Sequence, residues 1–435
     1  MKMLIKNFLT IFALALSIPV HAQIEIQWWH SMDGALNDWV NDLAKQFNAS
    51  QTQYKVVPTY KGEYDQAMAA GVAAYRAGNA PDILQVFEVG TATMMYSKGA
   101  IKPVAEVMKL GNAKFDPKVF IPAISGYYTS PNGQMLSMPF NSSTTVFYYN
   151  KDAFKAAGIN PEKAPTTWPE VVLAAAKLKA SGSTCPLTTS WMTWAQLESF
   201  SAWHNTSYAS KNNGFGGLDA RLQFNSPLHV RHFENLSNMA KQGLFVYKGR
   251  ASKANPSFVS GECAMFVGSS GSYATIKRDA KFAFAESALP YYPDVNGAPQ
   301  NTIVGGASLW VMAGKSDINY KGVANFFNFL SNPEVQAASH QRTGYLPITT
   351  AAYELTNNSG YYLKNPGTDV AVNQMIRKTT EKSRGVRLGN FVQIRAILDE
   401  ETEQIWTGKK SAKDALDSAV LRGNELLEKF QAANK

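Results

Sequence analysis

Residues 24–60 read IEIQWWHSMDGALNDWVNDLAKQFNASQTQYKVVPTY, and residues 83–87 read ILQVF. The first five residues, Ile24 to Trp28, have the apolar alternation of a strand. Leu36, Val40, Leu43 and Phe47 then recur at helical spacing and define one buried face. Val56 to Tyr60 is strand-like again. Met68, Val72 and Tyr75 mark one side of a second helix, and Asn79-Ala-Pro-Asp82 turns the chain into the strand Ile83 to Phe87. The order β-α-β-α-β predicts a parallel sheet covered by helices, that is, an α/β fold.

A second alternating region begins near Pro139. Val146 to Tyr149 reads as a strand, and Lys151 to Ala157 as a short helix ending at Gly158. Thr167-Trp-Pro-Glu170 is a capping box. The Thr hydroxyl accepts from a first-turn amide while Glu170 reaches back to the cap, and Pro169 sits where its missing N–H is not needed. Val171, Ala175 and Leu178 carry that helix's buried face. Near the end, Ser411 caps a helix striped by Leu416, Val420, Gly423, Leu427 and Phe430. Repeats, low-complexity runs and long linkers are absent from the sequence, so two closely packed α/β lobes are expected.

The chain has 435 residues, 45% hydrophobic and 17% charged, enough apolar content for more than one core and too little charge for a disordered polyelectrolyte. Its net charge of +9 is scattered. The densest basic stretch, Lys378 to Arg387, includes Glu381 and has no interleaved aromatics, which argues against nucleic-acid binding. Residues 1–22 have the three-part layout of a secretory signal peptide. Lys2 and Lys6 lead, Phe8 to Ile18 is apolar, and Pro19 precedes Val20-His21-Ala22. That apolar run is too short to span a bilayer, no later segment reaches the required length, and residue 23 is Gln rather than a lipid-accepting Cys. Export to an oxidising compartment would let Cys185 and Cys263 pair; two buried free thiols are the alternative.

Catalytic patterns are not met. Gly268-Ser-Ser-Gly-Ser272 lacks the spacing of a nucleophile elbow, no Walker loop occurs, and Gly214-Phe-Gly-Gly217 lacks the third glycine of a dinucleotide loop. Two cysteines exclude a four-cysteine zinc site and six histidines are dispersed, so neither a metal nor a cofactor is expected. Asp399-Glu-Glu401 occupies adjacent helical positions, which face different ways and cannot flank one bond; a solvated face is expected there. A secreted glycosidase or phosphodiesterase using Glu88 or Asp399 is the enzymatic alternative, and an adhesion or structural protein would leave the clustered polar and aromatic motifs unexplained.

Tyr148-Tyr-Asn-Lys-Asp-Ala-Phe154, Ala157-Gly158 and Pro165-Thr-Thr-Trp168-Pro-Glu170 closely resemble the central motif of the extracellular solute-binding proteins of ABC importers. Gly78-Asn-Ala-Pro-Asp82-Ile, Ser260-Gly-Glu-Cys-Ala-Met265, and the blocks Gly305 to Trp310, Phe326 to Glu334 and Thr343 to Pro347 resemble further family motifs in the family's order. Other stretches are similar to the members that carry glycerol phosphates: Trp29-His-Ser-Met32, Pro58 to Gly62, Val86 to Met94, Pro139 to Ser143, Ala209 to Phe215 and Arg387 to Asn390.

The resemblance implies a maltose-binding-protein-like fold with ligand between two lobes. Residues 23–138 with 306–343 would form one lobe, and 139–305 with 344–435 the other, with crossings near Met138, Gly305 and Gly344. It also implies a periplasmic, monomeric, non-enzymatic receptor that delivers a small molecule to inner-membrane permease subunits. A glycerol phosphate or a phosphodiester such as glycerophosphocholine is the expected ligand, and a neutral oligosaccharide the alternative.

Carried over residue by residue, the resemblance gives the glycerol hydroxyls to Tyr64 and Glu88. Bottom-up, Glu88 follows an apolar strand at its C-terminal end, where open α/β sheets bind ligands. The resemblance gives the phosphate to Ser143, Ser269, Gly306, Tyr345 and Arg395. Trp191 and Trp194, on one face if that segment is helical, would floor the cleft. Packing or capping roles compete at each position. Arg395 lies among Val392, Ile394 and Ile397 and needs a counter-charge, which a ligand phosphate or a structural carboxylate would supply; the resemblance favours the phosphate.

Overall fold

The computed structural model describes residues 23–435, so the signal-peptide assignment lies outside the described residues. Two sheets organise the chain. The strands are β1 (Ile24–His30), β2 (Tyr54–Tyr60), β3 (Ile83–Phe87), β4 (Ile101–Lys102), β5 (Met138–Ser143), β6 (Thr145–Asn150), β7 (Cys185–Thr189), β8 (Cys263–Ser269), β9 (Phe284–Ser287) and β10 (Gly305–Met312). The first sheet runs β2-β1-β3-β10-β4, with β5 also on β10; the second runs β7-β8-β6-β9.

As the β-α-β-α-β order requires, β1 is parallel to both β2 and β3. The late strand β10 then returns between β3 and β4 in the opposite sense, which the early pattern does not foretell. Trp28, Val40 and Phe47 pack with Phe326 and Phe327 around the first sheet, while Phe147, Leu187 and Met265 pack with Trp168 and Leu236 around the second.

Local signals are realised with small shifts. The helix Gly34–Ser50 buries Val40, Leu43 and Phe47 but also Trp39, and leaves Leu36 half-exposed. In the helix Tyr64–Arg76 the buried face is Ala67, Met68 and Gly71, not Val72 and Tyr75. A Cβ on Gly71 would lie 2.4 Å from Leu84, so the small residues set how closely this helix sits on β3. The Thr167 capping box forms, with Thr167 Oγ1 accepting from the Glu170 amide at 3.3 Å, and Ser411 caps the helix Ala412–Ala433.

Cys185 and Cys263 are directly opposite in the parallel β7–β8 pair and form a disulfide with their Cα atoms 4.5 Å apart. Their pairing depended on strand register, which the two isolated cysteines did not reveal. β5, which starts at Met138, still belongs to the first sheet, and the chain passes to the second at Thr144. Thr144 Oγ1 donates to the Ile303 carbonyl at 2.8 Å just before the return into β10, and the Leu346 amide, beyond Gly344, donates to the Ser142 carbonyl at 2.8 Å. Three separate passages are thus tied together at the junction of the sheets.

Candidate functional site

A cleft of about 100 Å³ opens at this junction, and Tyr64, Glu88, Ser143, Trp191, Trp194, Ser269, Gly306, Tyr345 and Arg395 all line it. They come from strand ends and the turns that follow, which is where the two sheets bring distant sequence together. Glu88 directly follows β3, Ser143 ends β5, Ser269 ends β8, and Gly306 opens β10. Tyr64 begins a helix whose N-cap Glu63 forms a capping box with Gln66.

One wall is ionic. Arg395, in the helix Phe391–Trp406, donates from Nη2 to Glu88 Oε1 at 2.6 Å. Glu198 grips the same guanidinium, taking Nε at 2.7 Å and Nη2 at 2.8 Å. All three side chains are buried: Glu198 is 1% exposed, Glu88 7% and Arg395 9%. Burial raises the Glu88 carboxyl above its ordinary range and pushes that of Glu198 up to about 7, against the pull of Arg395. Burial works against the guanidinium's charge too, but the two carboxylates more than offset it and hold its pKa above the ordinary value. The counter-charge that Arg395 needs is therefore supplied within the protein, and twice.

Hydroxyls line much of the rest of the cleft. The Ser31 amide donates to Gln85 Oε1 at 2.7 Å, Gln85 Nε2 to Asn141 Oδ1 at 2.8 Å, and Asn141 Nδ2 to the Tyr64 hydroxyl at 2.8 Å. That hydroxyl accepts from Asn141 and keeps its own proton to donate. Burial pushes the Tyr64 hydroxyl well up and that of Tyr345 up to about 12, so both remain proton donors at neutral pH. Ser143 is buried, and Ser269 Oγ accepts from the Gly271 amide at 3.1 Å. Gly306 has φ +78°, and a Cβ there would lie 1.9 Å from the Asn141 carbonyl oxygen, so only glycine lets β10 approach β5 this closely. Gly271 plays a similar part beneath the Tyr345 ring, which a Cβ would approach to 2.5 Å.

Aromatic side chains close the site laterally. Tyr64 stacks on Phe87 at 5.2 Å and lies 6.1 Å from Trp191. Trp194 lies on the backbone of Gly305, where a Cβ would stand 2.2 Å from its ring. The two tryptophans do not share a regular helical face. Trp191 has φ +50°, before the turn, and Trp194 opens a five-residue π-helical turn, Trp194–Glu198. That turn, closed by the Ser199 amide on the Trp194 carbonyl, presents both Trp194 and Glu198 inward.

Glu198 escaped the sequence reading, although a lone carboxylate in Trp191-Met-Thr-Trp-Ala-Gln-Leu-Glu198-Ser-Phe200 is the same signal of a buried charge that Arg395 gave. Ser31, Met32, Asp33, Glu63 and Ser252 also line the cleft, and Ser252 Oγ donates to Glu63 at 3.1 Å from the opposite side. The Asp399-Glu-Glu401 run is not a wholly solvated face. Glu401 is buried and binds Arg422 at 2.7 Å and Ser418 at 2.8 Å, joining the last two helices.

With two sheets joined by three passages and a polar, aromatic-walled cleft between them, the molecule has the build of a two-lobed binding protein. Residues 42–366 match the family model described as bacterial extracellular solute-binding protein, and the chain belongs to that family. It is 55% identical over 424 residues to the sn-glycerol-3-phosphate-binding periplasmic protein UgpB of Yersinia enterocolitica, covering 97% of this chain and 96% of that one. The protein of the same name from Salmonella typhimurium is 54% identical over 432 residues, 98% of each chain. Among solved structures, UgpB from Mycobacterium tuberculosis in complex with glycerophosphocholine superposes with a TM-score of 0.79 at 21% identity, over 94% of this chain and 100% of that one. The cyclic alpha-maltosyl-1,6-maltose binding protein of Arthrobacter globiformis gives 0.72 at 20% identity, again over 94% and 100%. The fold is that of the maltose-binding-protein-like receptors.

Proposed function

We propose that this chain is the periplasmic substrate-binding component of an ABC importer. It carries sn-glycerol-3-phosphate, and glycerophosphodiesters such as glycerophosphocholine, between its two lobes. The ligand is bound and released unchanged, and the closed receptor presents it to inner-membrane permease subunits. The lobes divide where the chain leaves the first sheet: residues 23–143 with 305–343 act as one, and 144–304 with 344–435 as the other, a few residues beyond the crossing expected at Met138 and just before the one expected at Gly305.

The observation that carries this reading is that one cleft holds both a buried Glu88–Arg395 pair and a set of hydroxyl-bearing and glycine positions. The Glu88–Arg395 pair offers an acceptor and a donor side by side, which suits vicinal hydroxyls. Ser143, Ser269 and Tyr345 offer hydroxyl donors, and Gly306 admits close backbone approach, which suits phosphate oxygens, while Tyr64 stays with the glycerol hydroxyls. Trp191 and Trp194 cover the carbon skeleton. Arg395 thereby moves from the phosphate to the hydroxyl end, because its charge is already met by two carboxylates. A ligand that touches both lobes favours the closed arrangement over the open one.

Calorimetric titration with glycerol-3-phosphate and, separately, maltose tests this. Saturable one-to-one binding of the phosphate compound alone is expected, weakened about tenfold, or ~1.4 kcal/mol, by Ser143→Ala or Ser269→Ala. Heat from maltose and none from glycerol-3-phosphate would reject it.

A further inference from the structure

Arg395 faces the cleft, but the residue that controls it stands behind. Glu198 is not part of the cleft wall. From the end of the π-helical turn it takes the Nε and Nη2 donors of the guanidinium in a two-pronged contact, at 2.7 and 2.8 Å. Glu88 shares Nη2 at 2.6 Å, so Nη1 is the one guanidinium nitrogen without a protein partner among the described residues. A free arginine fork binds a carboxylate by two parallel hydrogen bonds. Here that fork is spent on Glu198. Two carboxylates face one cation, and Asp33 and Glu63 add further acidic groups to the cleft lining.

We infer that Glu198 is a positioning and specificity-determining residue. It fixes Arg395 and cancels its charge at the hydroxyl end, so that the site accepts a phosphomonoester whose other end is neutral and refuses one whose other end is a carboxylate. This rests on the proposed binding of glycerol-3-phosphate. A carboxylate at that end would be a third anion around a single guanidinium, with one nitrogen left to receive it, in a buried setting where like charges repel strongly. A hydroxyl there asks only for a donor and an acceptor, which Nη1 and Glu88 supply.

The minimal probe pair is glycerol-3-phosphate and 3-phosphoglycerate, which differ in having a terminal hydroxymethyl or a carboxylate. Calorimetric titration of the wild-type protein at pH 8 is expected to show at least a hundredfold preference for glycerol-3-phosphate. In Glu198→Gln the two ligands should move in opposite directions. Glycerol-3-phosphate weakens about tenfold as Arg395 loses its anchor, while 3-phosphoglycerate tightens about tenfold as the fork becomes free. Glu198→Asp, which keeps the charge, should retain the wild-type preference. Equal loss for both ligands in Glu198→Gln is what a merely structural role gives, and it overturns the inference. So does a wild-type protein that binds the two ligands alike, a result that does not depend on any variant folding. Failure of the wild-type protein to bind glycerol-3-phosphate at all would instead strike the proposed ligand.

Discussion

Replacing Arg395 by Met removes the one cation between two buried carboxylates while keeping the bulk of the side chain. Glu198 and Glu88 accept hydrogen bonds from it at 2.6–2.8 Å, and neither side chain is more than 7% exposed. Breaking a buried pair by deleting one partner costs about 3–5 kcal/mol, because an uncompensated charge stays behind. The carboxyls then remain buried only by taking up protons. Their folded pKa rises above the unfolded value, so their contribution is present at low pH and is lost as pH climbs through the folded pKa. The destabilisation of Arg395→Met relative to wild type should therefore be larger at pH 8 than at pH 5.5. The double variant Arg395→Met, Glu198→Gln, which also removes the anion, should recover about 2 kcal/mol at pH 8. Urea unfolding followed by circular dichroism measures all three. A deficit below about 1 kcal/mol that is the same at both pH values, with no recovery in the double variant, would refute the reasoning.

Three other outcomes follow from separate features. Gly306→Ala meets both a left-handed φ of +78° and the Asn141 carbonyl at 1.9 Å. It should cost at least ~3 kcal/mol and weaken ligand binding, whereas Gly78→Ala, with φ +73° and open space, should cost only about 1–2 kcal/mol and leave binding intact; equal effects would contradict this. Replacing Cys185 and Cys263 by Ser opens a cross-link between residues 78 apart in sequence, and unfolding free energy should fall by roughly 4 kcal/mol. An unchanged denaturant midpoint would count against it. Burial holds His204 down at about 4 and His229 at about 3, so below the unfolded pKa near 6.5 the unfolded chain takes up protons the folded one refuses, and stability falls as pH falls. Between pH 7 and pH 5 the wild type should lose about 2 kcal/mol more than His229→Gln, and equal losses would exclude the histidine's part.

How far the sequence carried the fold and site depends on the range of each signal. β1, β2 and β3 were legible because strand alternation and helical spacing are local, and the Thr167 capping box because its partners are three residues apart. The insertion of β10 antiparallel between β3 and β4 was not, since it depends on pairing across more than two hundred residues. The nine cleft residues were reached through resemblance supported by placement: Glu88 after a strand, Ser269 before a helical turn, Gly306 at a crossing. Their roles were less legible. Arg395 announced a need for counter-charge, but nothing in its surroundings said that Glu198, in a separate apolar stretch, would meet it. Trp191 and Trp194 both line the cleft, yet the positive φ of Trp191 and the π-helical turn replaced the regular helix that their spacing suggested. The cysteines could be read as paired or free until β7 and β8 were in register.

A crystal structure of the protein with glycerol-3-phosphate is the decisive measurement. The phosphate is expected against Ser143, Ser269, Tyr345 and Gly306, the hydroxyls between Glu88 and Arg395 Nη1, and the carbon chain on Trp191 and Trp194, with the Glu198–Arg395 contact intact. A phosphate seated on Arg395 with Glu198 turned away, or a ligand bound outside the junction of the two sheets, would contradict it.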